Sequence, residues 1–479
     1  LLFSSTPGVS SLAGGNFNGF EDVNQRREFY FTNLSQLGYS KEIGLHTFNA
    51  FANFEYNHSR LNTNNLRRNG LIPGVYVPNT GAGYAADTAA NDFYVPSASV
   101  SQLRNDLVSY FGSVDYDYNK KYGVLASIRR DGTSRFIEDY QWGNFWSVGG
   151  RWNMDEEAFM DKFTFVNSMK IRGSYGTVGN QRIVAGTVYA GINPPAFADI
   201  YTVGNNVYNG ATGYNISFGY PALRWETTTQ YNFGADFELN NSRIRGSFDY
   251  YNRATSDLFL DSPVTPTSGV SSISRNSEAT VTNKGFELQL TYDLIKTNDI
   301  TLTLRANGAY NDNKVSKIES NNGVIATGNY ITQNGGAINE PNVFHYLGVN
   351  PATGNLLFEA ADGTATETPV AADRKPVGLN NVPVYSGGFG FDFNYKGFFA
   401  STLFTYAFDV VRFDFDLDGL YDVGSIGQFV VGADMLNAWT PTNTNTNVPS
   451  LSATNLGAGD SSDRFLRDAS YVRVRNVQV

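Results

Sequence analysis

The side chains best spaced to do chemistry are carboxylates near the end of the chain. Asp414, Asp416 and Asp418 alternate with Phe415 and Leu417, Gly419 follows, and Asp422 lies just beyond. D-x-D-x-D-G spacing can set three oxygens around a hard cation such as Ca²⁺. The likeness to an EF-hand loop breaks at the position that closes such a loop, where Ser425 stands instead of a bidentate Glu. The same stretch also reads as a strand, with Val411, Phe413, Phe415 and Leu417 on one face and Arg412, Asp414, Asp416 and Asp418 on the other. Calcium held by Asp414, Asp416, Asp418 and Asp422 is thus one expectation, and an acidic loop or lumenal strand is its rival.

Other groupings offer less. His46, His58 and His345 are far apart, and the first two bracket one alternating stretch, which argues against a shared metal. Cysteine is absent, and neither a G-x-S-x-G elbow nor an H-E-x-x-H pair occurs. Arg129, Arg130, Asp131 and Arg135 read as the salt-bridged base of a loop rather than an active site. Trp142, Trp146, Trp152, Trp225 and Trp439 can stack on sugars if they face a lumen, or serve as packing and interfacial anchors. The pattern points away from an enzyme.

The elements that must position these residues are strands. Charged residues make up 17% of the chain, below the roughly 25% of ordinary soluble domains. Phe, Tyr and Gly are abundant, at 35, 29 and 48 residues, a composition that suits strands and turns better than long helices. No run is apolar enough for a membrane-spanning helix. A mean hydropathy of -0.30 is compatible with a membrane barrel, in which only alternate side chains meet lipid. The net charge of -10 argues against nucleic-acid binding. The first residues show no basic segment followed by an apolar core, so no signal peptide is visible.

Alternation is the strongest signal. Phe286, Leu288, Leu290, Tyr292 and Leu294 are separated by Glu287, Gln289, Thr291 and Asp293. Tyr231, Phe233, Ala235, Phe237 and Leu239 repeat the pattern, as do Phe389, Phe391, Phe393 and Tyr395. His46, Phe48, Ala50, Ala52, Phe54 and Tyr56 share a face in the same way. One apolar face per strand means an antiparallel sheet. Hairpins are expected at 107–119 with 121–130, 224–239 with 243–252, 281–294 with 299–311, and 384–395 with 397–407. Their turns are short, whereas the intervening segments 59–106, 177–223, 253–280, 312–383 and 408–469 are long and polar. Outer-membrane barrels show this asymmetry, with short periplasmic turns and long extracellular loops. Tyr116, Tyr118, Tyr122, Tyr250, Tyr251, Tyr395, Phe398 and Phe399 lie where an aromatic girdle would sit. The connection across 153–168 is long for the tight side, and residues 1–24 show no clear strand. The absence of a fixed repeat weakens a propeller or solenoid, the soluble β alternatives.

The fold expected is therefore all-β: a large antiparallel transmembrane β-barrel with about 13 strands, each roughly 10 to 13 residues long, in this chain. That count is odd, and the last segment, Ser470 to Val479, has no partner, so further strands are expected to complete the barrel.

Several motifs in order carry a resemblance to a known family. Tyr110 to Tyr122, followed by Ser127 to Phe136, resembles the paired strand and RDGSSRF-type loop entry of SusC/RagA proteins. Lys170 to Gln181 is similar to their LRxSYGxxGNQ stretch, and Leu223 to Gln230 to their LxWEKTxQ strand start. Asp249, Tyr250 and Tyr251 with Thr255, Asp257 and Leu258 continue that pattern. Thr282 to Glu287 resembles their NKGFE element, and Gly348 to Gly354 and Ser470 to Val477 fit as well.

The resemblance implies a TonB-dependent transporter whose complete barrel has about 22 strands. Residues 1–479 would form part of one barrel domain, with the signal peptide, plug domain and final strands lying outside this sequence. It further implies import of a large nutrient (an oligosaccharide or a peptide), a SusD-like surface lipoprotein as partner, and energy from TonB-ExbB-ExbD. A barrel of this type serving only as a structural subunit of a larger outer-membrane assembly is the alternative.

Overall fold

The computed structural model describes residues 2–4, 10–12, 15–17, 20–72, 74–78, 80–84, 97–182, 184–185, 188–189, 199–208, 211–265, 267, 269–270, 272–319, 322–379, 381–427 and 429–479. One antiparallel sheet dominates it. Its long strands are β1 (Phe20–Ile43), β2 (His46–Asn69), β3 (Ser97–Tyr118), β4 (Tyr122–Thr133), β5 (Trp142–Asn153), β6 (Val166–Asn180) and β7 (Glu226–Leu239), then β8 (Ile244–Ser256), β9 (Thr280–Lys296), β10 (Ile300–Ser316), β11 (Tyr385–Tyr395), β12 (Phe398–Phe408) and β13 (Tyr471–Gln478). Each pairs with its neighbour in sequence, and the short strand Leu2–Ser4 pairs with β1 at the margin. The sheet is open as it stands: its order runs from Leu2–Ser4 to β13 without closing.

The four expected hairpins form, as β3–β4, β7–β8, β9–β10 and β11–β12. In three of them the tight turn follows from residues at positive φ. Asn119 and Lys120 sit at φ 51° and 57°, Asn240 and Asn241 at 54° and 55°, and Lys396 and Gly397 at 43° and 96°. These left-handed pairs match the right-handed twist of the flanking strands. The connection from β5 to β6 is longer, as expected, and holds two single 3₁₀ turns, Met154–Glu156 and Met160–Lys162.

Three expectations need correction. Residues 1–24 are not free of strands: β1 begins at Phe20, and Ser10–Leu12 pairs with Gly15–Phe17. The first strands are much longer than a bilayer crossing requires, 24, 24 and 22 residues for β1, β2 and β3. Their pairing continues through Asn-, Arg- and Ser-rich stretches where the apolar face has ended, so alternation fades while the ladder persists. His58 therefore lies within β2 rather than at its end. Residues 85–96 of the expected 59–106 loop lie outside the described residues.

The long connections are also folded rather than plain loops. Leu258–Pro263 pairs with Ser272–Ser277, and Ile200–Tyr208 with Ala211–Ser217. The connections 317–384 and 409–470 combine into one unit. Backbone bonds join Phe344 N to Ser461 O at 3.0 Å and Asp463 N to Phe344 O at 3.0 Å. Asn455 Oδ1 accepts from Leu356 N at 3.1 Å. Around these bonds Phe344, Val349, Leu356 and Phe358 form a core against Tyr346, Trp439 and Leu456, and Leu356 and Phe358 are 0% exposed.

Candidate functional site

The wall has two chemically distinct faces. Register places Phe233, Tyr250 and Phe286 side by side on one face of β7, β8 and β9, and Phe248 beside Leu288. The opposite face carries charge. Arg151 on β5 reaches Asp115 at 2.8 Å and Asp117 at 2.9 Å on β3. Arg172 on β6 reaches Asp236 at 3.2 Å and Asp249 at 2.6 Å, spanning β7 and β8. Arg245 meets Asp293 at 3.0 Å, and Arg305 meets Asp392 at 2.8 Å. An apolar outward face and a polar lumen define a membrane barrel wall. Each arginine grips carboxylates across strands, and forked guanidinium pairs are directional, so these contacts fix lumenal side chains in place.

Near the long-loop end the lumenal face opens into a cleft of about 490 Å³ lined by Arg129, Asp131, Phe145, Trp225 and Gln230. Arg129 is held by Asp131 at 2.6 Å and Glu55 at 3.1 Å and donates to Ser109 at 2.9 Å. Phe145 lies over Gly179, where any Cβ would collide with the ring. Trp225 packs edge-on to Phe145 and Phe136 and donates to the Gln141 carbonyl at 2.9 Å. A cleft with an aromatic wall, a fixed cation and carboxamides suits a neutral or weakly charged polar ligand that stacks and hydrogen-bonds.

The sequence-derived candidates fall as follows. Arg129 and Asp131 are salt-bridged, as expected of a loop base, but they lie within β4 and face the lumen. Arg130 faces outward over the Trp142 ring at 4.9 Å. Arg135 bonds Asn105 at 2.9 Å, and burial pulls its guanidinium below the usual arginine range. Trp142, Trp146 and Trp152 share the outward face of β5, beside Tyr110, Tyr175 and Tyr122 respectively, so they do not line the lumen. Trp439 packs in the loop unit and donates to the Pro351 carbonyl at 3.0 Å. Of the girdle candidates, Tyr251 is instead buried on the lumenal side and donates to Asn311 at 2.8 Å.

The acidic stretch is not a strand beyond Phe413: Phe415–Leu420 forms a short helix. Asp414 caps it by accepting from Leu417 N at 3.0 Å, and Asp422 caps the next turn by accepting from Gly424 N at 2.8 Å. Asp418 instead faces Asp460 beside Arg464. Burial, reinforced by the neighbouring carboxylate, pushes Asp418 above its usual range, and burial with the Asp422 charge does the same for Asp460. Among the described residues no three acidic or histidine side chains converge as metal ligands. With Asp414 and Asp422 capping separate turns, this arrangement does not fit the calcium loop that the spacing suggests. His46, His58 and His345 contact Tyr116, Asp106 and Asp463 respectively, each in a separate place.

A two-faced antiparallel wall with tight turns at one end and folded loops at the other defines a membrane β-barrel. The sequence profile of the "TonB dependent receptor-like, beta-barrel" family matches residues 3–476, and the chain belongs to that family. It is 30% identical to TonB-dependent receptor P3 of Formosa agariphila, over 97% of this chain and 46% of that protein. It is 27% identical to the TonB-dependent receptor SusC of Bacteroides thetaiotaomicron, over 97% of this chain and 45% of that protein. The RagAB peptide importer in its open-open state shares the fold, with TM-score 0.77 at 24% identity, covering 96% of this chain and 48% of that one. The resemblance to SusC/RagA proteins thus extends over nearly the whole chain, which spans about half the length of the curated relatives it matches.

Proposed function

We propose that this chain forms part of the wall of an outer-membrane importer that is energised through TonB-ExbB-ExbD and admits a large nutrient, an oligosaccharide or a peptide. The observation that carries the reading is the lumenal face, where arginines clasped across strands lead to an aromatic cleft below the folded loops. Membership of the TonB-dependent receptor family supports the energy source, and the RagAB fold supports a peptide-sized cargo. The work is binding and gating, without covalent chemistry.

The reading includes a SusD-like surface lipoprotein over the long loops. Phe429, Val430 and Leu436 are strongly exposed on the loop unit, an apolar surface that suits a protein partner. The same surface also suits a structural role in a larger outer-membrane assembly, and the identity of the partner separates the two. Full-length protein, solubilised in detergent and pulled down, should bring one SusD-like lipoprotein in equal amount when co-purifying chains are identified by mass spectrometry. Several stoichiometric assembly or secretion components would replace the importer with the structural barrel.

A further inference from the structure

The outward face of β1–β3 holds a feature that the lumen does not explain. From His46 to Tyr56 the outward side chains of β2 climb about 25 Å at the usual rise and tilt, the height of a barrel's apolar band. The next outward residues are His58 and Arg60, and across from them lie Phe31 and Phe29 on β1 and Asp106 and Arg104 on β3. Phe29, Phe31, Tyr56, His58, Arg60 and Arg104 line a cleft of about 350 Å³.

Its charges are arranged unusually. Arg60 and Arg104 stand directly opposite one another on paired strands, and like charges in that position destabilise a ladder. Asp106 does not relieve them both. It is already engaged by His58 at 2.6 Å, Tyr56 at 2.9 Å and Arg104 at 2.8 Å, contacts that steer Arg104 and leave Arg60 aside. With its carboxamide oxygen turned toward Arg60, Gln102 accepts from Nε at 2.8 Å and orients that guanidinium as well. Among the described residues neither Arg60 nor Arg27, further up β1 on the same face, meets a carboxylate. The aimed guanidiniums of Arg60 and Arg104 above an aromatic floor, at the level where lipid headgroups begin, offer a forked site for phosphate with apolar contact below it.

We propose that this cleft binds the phosphate of an anionic glycolipid in the outward-facing leaflet of the outer membrane, with the upper acyl chain against Phe31 and Tyr56. The proposal rests on the outer-membrane reading above. Its test uses full-length protein reconstituted in phosphatidylcholine nanodiscs with and without diphosphorylated lipid A, followed by native mass spectrometry of the released protein. Wild-type protein should retain the glycolipid, and the paired change Arg60→Gln with Arg104→Gln should weaken retention about tenfold. Arg60→Lys, which keeps the charge without the fork, should fall between. Equal retention by wild type and the paired variant would overturn the proposal, as would binding of inorganic phosphate with no preference for the glycolipid. Heat-modifiable mobility of the same samples reports the barrel itself. A wild-type protein lacking it would defeat the barrel reading, whereas lost glycolipid with mobility intact bears on this cleft alone.

Discussion

The barrel wall and the loop unit are built by opposite logics. In the wall the outward side chains need no deep core: Phe248 and Leu288 are exposed, and much lumenal order comes from Arg172, Arg245 and their carboxylates. Lipid takes the place of an interior on one face, and directional ion pairs organise the other. The loop unit is a small globular structure with a conventional core, in which Leu356 and Phe358 are fully enclosed by segments about a hundred positions away in the chain. The wall should therefore tolerate volume loss and resist misplaced charge, and the loop unit should do the reverse.

Cavity formation gives the largest contrast. Leu356→Ala should cost the loop unit about 2–5 kcal/mol, read as hydrogen exchange across residues 344–358 and 438–465, while the wall keeps its heat-modifiable mobility. Loss of the wall along with the loops would merge the two regions into one cooperative unit. Charge placement tests the wall next. Phe248→Arg on the outward face should cost about 2–4 kcal/mol in lipid, whereas Ser247→Arg, one residue away on the lumenal face, should be nearly neutral by urea titration in vesicles. Similar costs at both positions would contradict the assignment of faces.

A smaller effect should follow from unclasping one arginine. Arg172→Ala leaves Asp236 and Asp249 without their shared partner, and because all three are partly exposed the expected loss is about 1 kcal/mol by the same titration. The smallest effect is a pH response of the loop unit. Asp418 and Asp460 are both raised by burial, with Asp422, Arg464 and Tyr421 packed around them. A raised folded-state carboxyl favours folding while protonated, so its contribution is full below the usual carboxylate range and is lost as pH rises through the raised value. Glu367 is lowered by hydrogen bonds from Thr353 and Asn355, so its own contribution has the opposite sign and is lost as pH falls. The part of the pH response of loop protection from protease that Asp418→Asn removes, read between about pH 4 and about pH 8, should be a modest loss as pH rises.

The same contrast explains what was legible in the sequence. The wall was, because period two assigns each side chain a face from its neighbours alone, as at Phe286 to Leu294, and because Asn119-Lys120 and Lys396-Gly397 mark the turns. The upper parts of β1 to β3 were not, since polar residues on both faces erase the alternation while backbone pairing continues. The lumenal cleft was only half legible. Arg129 and Asp131 stood out as a charged pair, but Phe145 and Trp225 meet across strands whose register no local pattern supplies. The acidic stretch was ambiguous because D-x-D-x-D-G spacing fits a cap-and-helix turn as well as a cation loop, and Asp460, the partner of Asp418, comes from a distant segment.

The most direct test of the two-faced wall uses the absence of native cysteine. Single cysteines placed in turn from Phe286 to Leu294 would be spin-labelled in the full-length protein in lipid vesicles, and collision with oxygen compared with collision with a water-soluble nickel chelate. The account predicts a period of two, with even positions favouring oxygen and odd positions favouring the chelate. Uniform access along the segment, or a period near that of a helix, would contradict it.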